Sequence, residues 1–297
     1  MSWFLFAIAG YFLIAVVGVL DKFLLGQRPV TKPAVYTFYV GLLSIFALAL
    51  APFGLVWPGT TQFLIALGTG AFTLFGFLYL FHALDIGSAS RVLPSFGGLT
   101  PILVLGLSFL FLGERLALAQ IAAFLLLVLG GVLISFKKEP REKQQKRFKF
   151  IVFSILLTAI SLVLTKYVFI NQNFVSGFIW IRIGIFLTAL TFLIFPRLRR
   201  SIFSGGRQAT AGLSMLFVSN KAMAGIGTIA VNYAIFLASA SLVNAMQGIQ
   251  YAFLLILTIF LSKKFPQIIQ EKITRGILMQ KILAIILIIA GLAILAF

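Results

Sequence analysis

The stretch MSWFLFAIAGYFLIAVVGVL, residues 1–20, carries no charge. A helix needs about 20 mostly apolar residues to cross the hydrocarbon of a bilayer. Such stretches recur along the chain, at roughly 3–21, 34–53, 61–83, 89–112, 116–136, 148–170, 174–195, 213–238, 241–262 and 276–296. In lipid every backbone N–H and C=O must find a partner within the protein, so runs of this length are expected to be helical. The expectation is an all-α integral membrane protein with ten transmembrane helices. The first run has no basic leader and no small-residue cleavage site, and reads as a spanning helix rather than a signal peptide.

Composition agrees: 61% of the 297 residues are hydrophobic, mean hydropathy is +1.13 and only 10% are charged, against about 25% in soluble domains. The net charge of +18 does not point to nucleic acid, because the basic residues sit in short gaps between apolar runs. If the gaps are numbered in order, 20 Lys and Arg fall in or beside the odd ones, among them Arg28, Arg91, Arg141, Arg197, Arg207 and Lys263. By the positive-inside rule the odd loops are cytoplasmic and both termini outside. The multi-pass setting expected is a cell inner membrane, with membrane lipids as neighbours and a homo-oligomer left open.

The largest gap, KKEPREKQQKRFK, divides the chain nearly in half. VLDKFL at 19–24 resembles VLTKYV at 163–168. YTFYVG at 36–41 resembles FIWIRIG at 178–184, and SASRV at 88–92 resembles SASLV at 239–243. The expected organisation is therefore a first five-helix repeat over 1–136, a basic cytoplasmic linker over 137–147 and a second five-helix repeat over 148–297. Units with an odd number of spans insert in opposite senses, and inverted repeats of this kind enclose a central cavity in many transporters.

Residues 79–116, YLFHALDIGSASRVLPSFGGLTPILVLGLSFLFLGERL, resemble the EamA module of the drug/metabolite transporter (DMT) superfamily. The resemblance rests on Ala89 and Ser90, the mid-helix Pro101, the apolar run and the closing Gly113–Glu114–Arg115–Leu116. It implies ten helices around a central cavity, with segments one to four and six to nine lining it. The second half departs from the pattern: Ala252 stands in place of the proline, and SKKFPQIIQEKI at 262–273 in place of Gly-Glu-Arg-Leu. Glu271–Ile273 is a displaced counterpart at best. Family members carry many kinds of cargo, so the resemblance names none.

Polar side chains in hydrocarbon are costly and tend to face a cavity or a partner. The eighth segment contains SNKAMAGIGTIAVNY, residues 219–233. Lys221, Thr228 and Asn232 stand at i, i+7 and i+11, within about 40° of one another on a helix, with Asn220 beside them. In the ninth segment Asn244, Gln247 and Tyr251 make a second stripe, flanked by Gln250. Arg182, with Trp180 nearby, lies within the seventh segment; Tyr36 and Tyr39 share a face of the second; Ser95 opens the fourth. These residues are the candidate substrate contacts. His82, one turn before Asp85, is a candidate proton-linked pair. Lys22 and Lys166 correspond in the duplication, and each lies near a helix end, where it reads as snorkelling to the interface.

The acidic residues are Asp21, Asp85, Glu114, Glu139, Glu142 and Glu271, none in mid-span. The deep charges, Lys221 and Arg182, are positive. A cavity of this sign favours an anionic or zwitterionic metabolite, such as an amino acid, an organic acid or a phosphorylated compound. The expected function is a secondary transporter, an exporter or exchanger working by alternating access. A lipid-linked carrier flippase, a cationic drug exporter and a non-transporting scaffold or sensor remain alternatives. With no cysteine and one histidine, no metal site or thiol chemistry is expected. No phosphate-binding G-x-x-x-x-G-K-[ST] run occurs, and no nucleophile–base set for catalysis stands out. No cofactor and no enzymatic activity are expected.

Overall fold

The computed structural model describes residues 2–25, 32–86, 89–135, 144–206, 211–264 and 275–296. Every regular element among them is helical: α1 Ser2–Leu25, α2 Pro33–Leu43, α3 Thr60–Ile86, α4 Ala89–Leu112, α5 Leu118–Ser135, α6 Gln144–Asn171, α7 Phe174–Thr191, α8 Pro196–Gly206, α9 Ala211–Leu237, α10 Ala240–Ala245, α11 Gln247–Lys264 and α12 Arg275–Ala296. α2 tightens into a 3₁₀ helix over Ser44–Phe53, and α7 does so over Phe192–Ile194. Seven of the stretches so formed are long and apolar enough to cross a membrane: Ser2–Leu20, Pro33–Phe53, Thr60–Ile86, Phe148–Asn171, Phe174–Ile194, Ser214–Leu237 and Met279–Ala296. Shorter apolar stretches occupy Phe96–Leu112 in α4 and Leu118–Leu133 in α5.

The helix ends follow local chemistry. Pro33 stands in the first turn of α2, where its missing N–H costs nothing. Asn173 caps α7 by accepting from Ser176 N at 2.8 Å, which turns the chain sharply after α6. Gly113 closes α4 with φ +66°, a conformation that disfavours any Cβ. Of the basic linker, residues 137–143 lie outside the described residues, as does Glu271–Ile273; residues 144–147 already form the first turn of α6.

Lipid offers helices no hydrophobic drive to associate, so close contact relies on small residues and polar pairs. A Cβ on Gly70 of α3 would overlap the backbone of Ile181–Ile185 in α7, and one on Gly184 of α7 would stand 2.6 Å from Leu67 O. Gly10 and Gly227 bring α1 and α9 nearly as close, with a Cβ on Gly10 2.9 Å from Gly227 O. α3 and α6 are joined by Thr73 and Ser161, whose hydroxyls lie 2.5 Å apart, and by Ser154, which donates to Gly76 O at 2.9 Å. Large apolar side chains ring the outside, with Phe46, Phe111, Leu118 and Met215 all more than 70% exposed. A water-facing surface rarely carries so many, whereas acyl chains would cover them.

Two features differ from the sequence expectation. The ninth apolar segment is not one helix. It breaks at Met246 into α10 and α11, where Ile249 N bonds Met246 O in a tighter turn. Between α7 and α9 the chain forms α8, an extra helix packed on α2 and the 3₁₀ end of α7.

Candidate functional site

A side-chain contact joins α9 to α2. Lys221 lies in the first half of α9, and its Nζ donates to Tyr36 Oη at 2.6 Å. The same ammonium stands 4.9 Å from the centre of the Tyr36 ring and 5.6 Å from that of Phe217, within cation–π range. Tyr36 is only 2% exposed, and its ring meets Phe81 of α3 edge-on at 4.8 Å and Phe217 at 6.0 Å. The hydroxyl and the rings together hold the ammonium between α9 and α2. Asn220, next in the chain, is buried.

The rest of the α9 stripe behaves differently. Thr228 Oγ1 donates to Ala224 O at 2.7 Å, and Asn232 Nδ2 to Thr228 O at 2.9 Å. Both satisfy themselves on their own helix. They share the Lys221 face and are half-buried, but neither reaches the Lys221–Tyr36 pair.

The second stripe is divided by the Met246 break. Asn244 lies in α10, 7% exposed, and its Oδ1 has no hydrogen-bond partner among the described residues. Tyr251 is buried in α11 against Gly97 of α4, where a Cβ would overlap its ring. Gln247 and Gln250 stay half-exposed on α11. The side chain of Ser95 lies outside the described residues.

Other candidates fall elsewhere. Arg182 packs its guanidinium 4.8 Å from the Phe178 ring centre, and its carbonyl accepts from Ser44 Oγ at 2.9 Å. Trp180 turns to the loop before α3: its Nε1 donates to Val56 O at 3.2 Å, and its ring packs on Trp57 and Phe63. Tyr39 Oη donates to Ile202 O of α8 at 3.2 Å. His82 Nδ1 lies 2.8 Å from Leu78 O within α3, and the ring stacks on Phe150 at 5.5 Å. No hydrogen bond joins it to Asp85, which is exposed.

Lys166 has partners that its sequence position does not reveal. Its Nζ donates to Ala238 O at 2.6 Å, Ile235 O at 3.0 Å and Phe236 O at 3.3 Å. The lysine read as snorkelling instead covers the carbonyl end of α9, where the helix dipole favours a cation. Across the same corner Glu114 accepts from Ser239 Oγ and Ser241 Oγ, both at 2.9 Å, and from Ala240 N at 3.2 Å. That places a carboxylate at the amide end of α10. One cation and one anion thus close the turn from the Lys221 helix to the Asn244 helix. The duplication hints at part of this arrangement, since the SASLV run supplies both serines, but it does not say what they bind.

The arrangement is a lysine and aromatic residues between α9 and α2, with polar corners pinned from neighbouring helices. Residues 1–136 match the sequence model of the EamA-like transporter family. Over these residues the chain is similar to the EamA-like transporter family. It is a multi-pass membrane protein of the DMT transporter type. Glu114, the acid of the EamA motif, is the residue that anchors α10. No curated protein matches the sequence. One solved crystal structure of a protein shares the fold over 99% of this chain and 98% of its own, with a TM-score of 0.69 at 16% identity. The EamA-like architecture therefore has a solved counterpart of the same size.

Proposed function

We propose that this EamA-type protein is a secondary transporter of a small anionic or zwitterionic metabolite, with Lys221 as the group that meets the negative charge of the cargo. The observation that carries the reading is the Lys221 ammonium held by Tyr36 Oη and two aromatic faces. A carboxylate or phosphate arriving there gains a charge-assisted hydrogen bond. Tyr36, Phe81 and Phe217 supply apolar walls, as ligand pockets commonly do. The same positive site disfavours a lipophilic cation.

Alternating access by ten spans in two inverted repeats is the mechanism this reading adopts, and the pattern of packing supports it. α1 packs on α9 as α6 packs on α3, and α1 on α11 as α6 on α4. α2 meets α7, and α5 meets α12. Each pair is returned, or exchanged with another, when the halves of the chain are swapped. The exchange is incomplete: α3 lies along α7 backbone to backbone at Gly70 and Gly184, while α9 meets α2 through Lys221 and Phe217 on Tyr36. An interface tight in one half and side-chain-mediated in the other fits a transporter resting in one of its two states. Inner-membrane placement, with odd loops cytoplasmic and termini outside, completes the proposal.

The test is thermal unfolding of the purified protein with a panel of amino acids, organic acids, sugar phosphates and cationic dyes. At least one acid or phosphate is expected to raise the midpoint, and the dyes are not. Stabilisation by dyes alone would defeat the proposal.

A further inference from the structure

α8 has no role in the transport reading above, yet its surface is divided in an orderly way. Residues 196–206 read PRLRRSIFSGG. At 100° per residue, Leu198, Ser201 and Ile202 share one face. Ile202 is 1% exposed, and Leu198 packs against the main core. The opposite arc carries Arg199, Phe203, Arg200 and Arg197 in angular order, all exposed. Phe203, in the middle of that arc, is 64% exposed. Immediately before α8, Ile194 and Phe195 are 74% and 58% exposed, which continues the apolar outer surface of α7. Eleven residues of helix reach about 16 Å, too short to cross hydrocarbon and suited to lying along its edge.

Topology alone would be served by arginines anywhere in this loop. It does not require a large aromatic exposed among them on one face of a helix. Arginine with interleaved phenylalanine is the chemistry of an interfacial binder: the rings enter the acyl boundary and the guanidiniums meet phosphates. The geometry points to α8 as a binding site for the headgroups of anionic phospholipids. Arg197, Arg199 and Arg200 contact the phosphates, and Phe203 and Phe195 sit among the upper acyl carbons.

The site also reaches the interior. Tyr39 Oη donates to Ile202 O, and Lys32 Nζ to Ser201 Oγ at 3.2 Å. Lys32 immediately precedes α2 and Tyr39 lies within it, and α2 is the helix that presents Tyr36. A lipid that holds α8 in place therefore also steadies α2.

The experiment uses the full chain, delipidated in a neutral detergent and titrated with phosphatidylglycerol or phosphatidylcholine, with bound lipid counted by native mass spectrometry and unfolding followed by heat. Phosphatidylglycerol is expected to stay bound and to raise the midpoint, and phosphatidylcholine is not. The triple variant R197Q/R199Q/R200Q is expected to weaken phosphatidylglycerol binding by about five-fold per arginine removed. Equal retention of the two lipids, or wild-type binding by the triple variant, overturns the site. Should the triple variant not fold, a photoactivatable phosphatidylglycerol is applied to the wild type. Adducts on the peptide spanning α8 support the site, and adducts confined to other peptides refute it. Tyr39→Phe is expected to keep the lipid but lose most of its thermal stabilisation; an unchanged lipid-induced shift refutes the link to α2.

Discussion

Replacing Lys166 with methionine separates two physical pictures of this residue. A snorkelling lysine at a helix end contributes little, and its loss should stay within about 0.5 kcal/mol, as for surface changes generally. The structure instead gives Nζ three carbonyl partners at the end of α9, at 2.6, 3.0 and 3.3 Å. Interhelical hydrogen bonds in membrane proteins average about 0.6 kcal/mol and reach about 1.7, and a charged donor belongs toward the upper end. Three such bonds, one of them long, amount to roughly 2–4 kcal/mol. Methionine keeps most of the side chain's length and apolar bulk, so the loss reports the ammonium rather than a cavity. The assay is reversible unfolding in mixed micelles with increasing dodecyl sulfate, followed by tryptophan fluorescence. Glu114→Gln and the double variant complete a thermodynamic cycle. Since the two residues pin opposite sides of one corner, their effects should be coupled by at least about 0.5 kcal/mol. A loss below about 0.5 kcal/mol for Lys166→Met would return the residue to snorkelling and refute the corner clamp.

Three further outcomes follow from the same geometry. Lys221→Ala should leave the protein folded and remove any stabilisation by acidic ligands; a charged hydrogen bond worth about 1.5–3 kcal/mol corresponds to roughly ten- to hundred-fold in apparent affinity. Tyr36→Phe keeps the edge-on ring against Phe81 but removes the hydroxyl that positions Lys221, so ligand titrations should give a smaller loss than Lys221→Ala, with stability nearly unchanged. Gly184→Val forces a branched side chain against the Leu67 backbone, where a Cβ already stands 2.6 Å from a carbonyl oxygen; overpacking of about 1–3 kcal/mol or more should lower the unfolding midpoint, and an unaffected midpoint would contradict the α3–α7 crossing.

The limits of the sequence reading have physical causes. Hydropathy marked the helices well: α4 begins and ends at the expected residues 89 and 112, and most other ends fall within a few positions. α8 escaped because a short basic helix has no apolar run to announce it. The break at Met246 escaped because the glycine in its turn, Gly248, looks no different in sequence from isolated glycines inside intact helices; packing sets it apart, since a Cβ there would stand 2.9 Å from Leu127 O of α5. Register placed Lys221, Thr228 and Asn232 on one face, which holds for the backbone. Register does not choose rotamers, and Thr228 and Asn232 turn back to their own helix. The partner of Lys221 lies 185 positions away, and the carbonyls that hold Lys166 lie about 70 positions on. No local pattern encodes such pairs. Glu114 stood out as part of a motif, but only the fold brings Ser239 and Ser241 to it.

Counterflow in proteoliposomes tests the central claim most directly. Vesicles loaded with an acid that stabilises the purified protein are diluted into medium carrying a trace of the same acid, radiolabelled. The account predicts transient, saturable accumulation of label by the wild type and none by a folded Lys221→Ala variant. Equal accumulation by that variant, or movement of cationic dyes without movement of the acid, would contradict it.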